Sequence, residues 1–87
     1  MTVKLRTDRV SWRELDEEVV AVDVDSSTYL STNGSGALLW FELAQGTTRE
    51  ALVERLAQAY LIDAGRAGDD VDSFLAELRG QGLLDEE

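Results

Sequence analysis

The sequence predicts an α+β fold in which a three-stranded antiparallel meander is followed by three helices. Apolar residues in the first third of the chain recur at every second position, which is the period of a half-buried strand. After Asn33 the apolar spacing changes to three and four residues, which is the period of a helix. The chain has 87 residues, of which 44% are hydrophobic. This is enough for one modest core, so we expect a single domain over residues 1–87.

The meander is predicted from three short segments joined by tight turns. Residues 10–15 alternate in polarity, and Asp16 with Glu17 forms the first turn. Residues 18–24 follow with valines at every second position. Residues 25–27 break the pattern, and β-branched and aromatic side chains return at residues 28–32.

The first helix is predicted over residues 37–44. This segment is apolar nearly all round, which indicates a helix that is buried on most sides. Thr32, Asn33 or Ser35 can supply its N-cap, and Gly46 ends it.

The second helix is predicted to begin at a capping box formed by Thr47 and Glu50, in which the Thr47 hydroxyl accepts a hydrogen bond from the Glu50 amide. Its core-facing residues follow at helical spacing: Leu52, Val53, Leu56, Ala59 and Tyr60.

The third helix is predicted to begin at Asp69 or Asp70, because carboxylates are favoured at the positive end of a helix dipole. Residues 61–68, which include Gly65 and Gly68, stay unassigned. The helix carries an apolar stripe, and Leu83 and Leu84 then return to the core.

Charge excludes several classes of partner. Lys and Arg number 8 against 18 Asp and Glu, and the resulting net charge of −10 repels phosphate backbones and anionic lipid surfaces. We therefore expect no nucleic acid and no membrane as a partner. The start of the chain lacks the apolar segment of a signal peptide, and no stretch approaches the ~20 apolar residues of a membrane helix. A cytoplasmic location is expected.

The composition also argues against catalysis. The chain has no Cys and no His, and its one lysine is Lys4, so thiol nucleophiles, the commonest general base and the commonest metal ligand are missing. Asp69, Asp70, Asp72 and the acids of the predicted hairpins lack the spacing of a calcium loop. Solvated turns and helix capping explain them. We expect no catalytic residue, no metal and no cofactor, and predict that the protein is not an enzyme.

The remaining candidate site is the edge of the meander. The strand at residues 28–32 carries no charge, which is unusual for a bare edge. It either accepts a visiting strand or is covered by a helix or a second copy of the chain. The apolar stripe of the third helix, at Val71, Phe74, Leu75 and Leu78, is typical of a core face and can also present one flank beside that strand.

Several short motifs occur in a fixed order after the meander. They are Tyr29-Leu30 with Asn33, a small-residue helix start, Leu39-Trp40, Gly46-Thr47-Thr48, an Ala/Leu-rich helix, Phe74-Leu75, Leu78 and Gly82-Leu83. This succession resembles the PqqD-like family, the recognition elements of ribosomally made, modified peptides, and it covers about residues 8–85. The stand-alone length is most similar to the discrete leader-binding proteins of lasso-peptide biosynthesis.

The resemblance implies a winged-helix-like fold and a leader peptide that adds antiparallel to the edge strand, in a groove between the third strand and the third helix. It also implies a separate leader peptidase as partner and a cyclase that meets the precursor. The implied peptide-binding residues are Thr28, Tyr29, Leu30, Ser31 and Thr32 on the strand, with Asp69, Val71, Asp72, Phe74, Leu75 and Leu78 on the helix.

Two other interpretations stay open. One is a homodimeric or structural module that uses the same strand edge. The other is a winged-helix transcription factor, which needs a basic recognition helix and is disfavoured because the predicted third helix opens with Asp69 and Asp70.

Overall fold

The described part of the chain, residues 2–6, 8–23 and 28–86 of a computed structural model, folds into five strands and three helices. In chain order these are β1 (Val3–Leu5), β2 (Val10–Leu15), β3 (Glu18–Asp23), β4 (Thr28–Asn33), α1 (Ser35–Gln45), α2 (Arg49–Tyr60), α3 (Ala64–Gly80) and β5 (Leu84–Glu86). One antiparallel sheet has the order β2–β3–β4, and β1 pairs with β5 in a second sheet. The predicted three-stranded meander followed by three helices is confirmed.

The meander is built on a tight hairpin. Asp16 and Glu17 connect β2 to β3 with φ angles of 50° and 68°, which are typical of a type I′ turn and match the twist of the flanking strands. Each neighbouring pair of strands is in register along its full length. β4 runs one residue further than predicted, to Asn33. The predicted strand end at Val24 and the break at residues 25–27 lie outside the described residues.

A second, two-stranded sheet was not predicted. Val3 and Leu5 of β1 are buried, and β1 pairs with β5 near the other end of the chain. Val3 also exchanges two backbone hydrogen bonds with Thr47, of 2.7 Å and 2.9 Å. Strands of three residues are too short to show a period of two in the sequence, so no pattern predicted this sheet.

Aromatic side chains join the larger sheet to α1. Trp12 of β2 meets Trp40 edge to face, with ring centroids 6.0 Å apart and planes at 76°. The Trp12 ring also packs against Phe41, with ring centroids 5.7 Å apart. Trp40 is completely buried, as predicted for a helix that is apolar nearly all round. Most of the inner sheet face is therefore closed by α1.

The predicted N-caps of α1 and α2 were wrong, whereas Gly46 ends α1 as predicted. Thr32 and Asn33 belong to β4, and Gly34 is the N-cap of α1, at φ 57° and with no side-chain cap. Thr47 is engaged by β1, so Thr48 takes the N-cap of α2 and accepts from the Ala51 amide at 3.1 Å. Thr32, Asn33 and Thr47 already serve a strand or a bridge, and Ser35 is the first residue of α1 itself.

The core-facing side of α2 was predicted in part. Leu52 and Leu56 are buried and Val53 is half-buried. Ala59 is exposed and Tyr60 keeps 48% of its surface accessible, so their assignment to the core was wrong. The helix ends immediately after Tyr60, where Leu61 turns into the left-handed region, and its last turn extends beyond the core.

The predicted start of α3 at Asp69 or Asp70 was also wrong. Asp63 caps the helix by accepting from the Arg66 amide at 2.8 Å, and the helix begins at Ala64. Gly68, read as part of an interruption, is a buried helical residue that lets Arg49 approach closely. Among the described residues no helix, including α3, is long and apolar enough to cross a membrane.

Candidate functional site

The outer edge of β4 is open in the described part of the chain. β4 pairs with β3 on one side and with no strand on the other. The two-residue turn makes Leu15 and Glu18 a hydrogen-bonded pair, and such pairs alternate along an antiparallel ladder. In β3, therefore, the N–H and C=O groups of Val19 and Ala21 point away from β2 and bond to Thr32 and Leu30 of β4. The N–H and C=O groups of Tyr29 and Ser31, which alternate with these, point away from β3. These groups are available to an added strand.

The side chains of β4 divide between two environments. Leu30 lies opposite Ala21 and Thr32 lies opposite Val19, so both point to the inner face, where they are half-buried. Tyr29 points to the outer face with 63% of its surface exposed, and Ser31 is exposed as well. Thr28 pairs with Asp23 at the start of the strand. The predicted strand residues therefore form one continuous edge.

The predicted α3 residues lie on different faces of the helix. Val71, Leu75 and Leu78 are 0%, 4% and 1% exposed and belong to the core. Phe74 is half-buried and packs against that core from its surface. Asp69 and Asp72 are exposed. The helix thus places one of the six predicted wall residues, Phe74, beside an accessible concavity.

Asp72 is engaged by the start of α2. Arg49 donates to its carboxylate from Nε at 2.7 Å and from Nη2 at 3.0 Å. This charge-assisted, bidentate hydrogen bond lowers the pKa of the Asp72 carboxyl and raises the pKa of the Arg49 guanidinium, and the nearby Asp69 charge raises the latter further. Asp72 therefore joins α3 to the start of α2.

A groove of about 320 Å³ opens between α1 and α3, and we call it the α1–α3 groove. A second concavity of about 290 Å³ adjoins it and shares Ser35, Leu56 and Asp70. The apolar part of the groove comes from Leu39, Leu56 and Phe74, and its other lining residues are Ser35, Gly36, Asp70, Ser73 and Glu77.

The α1–α3 groove approaches β4 at Gly36. A Cβ atom on this buried glycine would overlap Thr32 Oγ1 and would lie 3.2 Å from Thr32 Cβ and 3.4 Å from Phe74 Cε1. Helix α1, the open strand and α3 therefore meet at one point. The open edge and the groove are neighbouring parts of one surface.

Sequence analysis missed the polar side of this groove. Asp70, Ser73, Phe74 and Glu77 follow the spacing i, i+3, i+4, i+7 and share one face of α3. This stripe is displaced by one residue from the apolar stripe that enters the core. The same helical period could have identified it, but the position of the open strand was needed to show which polar face matters.

A larger concavity of about 450 Å³ lies beside the β2–β3 turn. Glu14 and Glu17 border it, and Leu38, Phe41 and Tyr60 supply its apolar surface. None of the predicted site residues lines it. It is separated from the α1–α3 groove by the start of α1, since Gly34 lines one and Ser35 and Gly36 line the other.

Comparisons with known proteins bear on this surface. The structure titled "TbiB1 in Complex with the TbiA(beta) Leader Peptide" is 27% identical in sequence, with a TM-score of 0.88 over 97% of this chain and 96% of that one. The structure titled "Lasso peptide synthetase B1 complexed with the leader peptide" has the same fold at 23% identity, with a TM-score of 0.83 over 97% of this chain and 98% of that one. Comparison with curated protein sequences finds no significant match.

The family comparison covers most of the fold. The family model described as coenzyme PQQ synthesis protein D (PqqD) matches residues 18–84, from the first residue of β3 to the first residue of β5. The matched span includes the open strand, all three helices and the whole α1–α3 groove. The resemblance noted in the order of the sequence motifs is confirmed. The chain belongs to the PqqD family.

Proposed function

We propose that this protein binds the leader segment of a ribosomally made precursor peptide and presents it to a separate leader peptidase. The observation that carries the proposal is the open β4 edge beside the α1–α3 groove, in the fold that TbiB1 shares. TbiB1, at 27% identity, was solved in complex with a leader peptide. The proposed reaction sequence is lasso-peptide maturation, in which a cyclase also meets the precursor.

Strand addition accounts for affinity in this proposal. The outward N–H and C=O groups of Tyr29 and Ser31 pair with an antiparallel leader strand, whose alternate side chains then face the groove. Phe74 is the accessible apolar contact on the opposite wall. Val71, Leu75 and Leu78 support that wall from within the core, because their side chains are at most 4% exposed.

Presentation follows from tethering. A leader held on this protein keeps the attached core peptide near any peptidase that binds the same protein, and this raises the effective concentration of the cleavage site. The role requires no catalytic group on this chain, in keeping with a sequence that has no Cys or His.

Fluorescence polarisation tests the binding step. Labelled leader and labelled core peptides from the precursor encoded with this protein are titrated separately. Saturable binding of the leader, with no binding of the core, is the expected result. A folded protein that binds neither peptide would rule the proposal out. A cleavage assay with the cognate peptidase tests presentation. We expect this protein to speed cleavage of the intact precursor, and we expect the effect to disappear when leader and core are supplied as separate peptides.

A homodimer is the second candidate, because the uncharged open edge of β4 can pair with a second copy. The mass in solution separates the two. A dimer that dissociates when leader is added means that both occupants use β4. A dimer that excludes leader favours the structural role.

A further inference from the structure

Gly36 occupies the tightest point of the surface described above. It is buried in the first turn of α1, where a side chain would overlap Thr32 Oγ1 and press on the Phe74 ring. The glycines whose φ is positive are Gly34, Gly46 and Gly82. Gly36 has helical geometry that alanine adopts more readily than glycine does. Glycine is therefore needed at this position because there is no room for a side chain, and not because of its backbone conformation.

The two neighbours of Gly36 belong to opposite sides of the proposed leader site. Thr32 is carried by β4, the strand that would pair with the leader. Phe74 is carried by α3, on the wall that faces it. A leader strand must reach the hydrogen-bonding groups of β4 and the Phe74 ring at the same time. The separation of these two elements is therefore a property on which recognition depends.

We propose that Gly36 is a positioning residue that sets the width of the leader site, an inference that rests on the proposed function. Lacking a Cβ, it lets β4 and α3 close on the start of α1, so that a single extended strand can contact both. A methyl group at this position pushes Thr32, and the edge that carries it, away from Phe74. Hydrogen bonds weaken steeply with distance and angle, so a small displacement of the edge costs leader affinity.

The substitution Gly36→Ala tests this inference. We expect the leader dissociation constant of G36A to rise at least tenfold while the protein remains folded by circular dichroism. The double variant T32A/G36A removes the overlap with Oγ1, and we expect it to recover part of that loss. Thr32→Ala alone is measured as the reference for the double variant, because Thr32 lies on the strand that would pair with the leader.

Two other glycines of the same chain serve as controls. A Cβ on Gly80 has no neighbour within 4 Å, so G80A is expected to leave leader affinity unchanged and not to lower thermal stability. A Cβ on Gly68 would lie 3.1 Å from Arg49 Nη2, away from the groove, so G68A is expected to lower the melting temperature without changing leader affinity. A purely structural role of Gly36 would make G36A behave like G68A.

The outcomes separate this inference from the proposed function. If the wild type does not bind leader, the proposed function fails. If the wild type binds and G36A binds equally well, the inference about Gly36 alone fails. Should G36A not fold, T32A/G36A is compared with T32A, because contacts of 3.2 Å and 3.4 Å remain and still predict weaker binding. Equal affinities in that pair overturn the inference.

Discussion

Arg49, the first residue of α2, donates two parallel hydrogen bonds of 2.7 Å and 3.0 Å to the Asp72 carboxylate of α3. Both side chains are about half exposed, so the pair joins the two helices at the surface and outside the core. It orients the helix that carries Phe74 without taking part in the groove itself.

Asp72→Asn is expected to remove a pH-dependent part of the stability. The folded state lowers the pKa of Asp72, so its contribution is present above the ordinary carboxyl value of 3.8 and is lost as the pH falls through the lowered value. The melting temperature of D72N should lie slightly below that of the wild type at pH 7 and converge with it in acid. Asp85→Asn, at an exposed position of β5, is the control. A difference that persists unchanged at pH 2 would contradict the assignment.

Phe74→Ala is expected to weaken leader binding by about 1–3 kcal/mol, the cost of truncating an aromatic anchor in an interface. Isothermal titration at a temperature where both proteins are folded measures the loss. Phe41→Ala removes a half-buried aromatic side chain from the other concavity, so it should lower stability while leaving leader affinity unchanged. Equal effects of the two substitutions on affinity would mean that Phe74 acts through general stability.

Leu78→Ala is expected to act on stability instead. The side chain is 1% exposed, and truncation of a buried leucine costs about 2–5 kcal/mol. Urea denaturation should show this loss, while the folded fraction should bind leader normally. Leu61→Ala, at a position that is 91% exposed, is expected to leave the urea midpoint almost unchanged. Weaker leader binding by L78A at unchanged stability would show that Leu78 is a direct contact.

Ser31→Pro tests strand addition directly. The Ser31 N–H points to the open edge, so proline removes a donor that a leader strand would use without removing a bond to β3. We expect leader affinity to fall about tenfold, which corresponds to about 1.4 kcal/mol and to the loss of one hydrogen bond with its partner left unpaired. Ser31→Ala keeps the N–H and should bind like the wild type. Normal binding by S31P would exclude pairing at this residue.

The strands could be predicted from the sequence because one face of the sheet is buried. In β3 the buried residues are Val19 and Ala21, whereas Val22, one of the valines at every second position, keeps 40% of its surface exposed. The alternation therefore predicted the strand but not which of its faces is buried. The helix starts could not be predicted equally well. Thr47 has a suitable capping side chain, but its backbone is engaged by Val3, more than forty positions earlier in the chain. A cap depends on which groups distant segments have already used.

The candidate site also has one part that could be predicted from local sequence and another that depends on contacts between distant segments. The strand edge was predicted because residues 28–32 lack charge, which is a local property of the sequence. The polar wall formed by Asp70, Ser73 and Glu77 was missed, because its role depends on which face of α3 turns towards α1. Gly36 was read as part of a helix start. Its closeness to Thr32 and Phe74 is a relationship among three elements that no local pattern contains.

The contact between Trp12 and Trp40 has a spectroscopic consequence. The chain has two tryptophans, and both lie in the joint between the sheet and α1. Intrinsic tryptophan emission therefore reports a single place in the molecule. Edge-to-face coupling of the two indoles should also give a near-ultraviolet circular dichroism signal that disappears when the sheet separates from the helix. With an unlabelled peptide that contains no tryptophan, any change in that signal on binding would mean that the joint itself has moved.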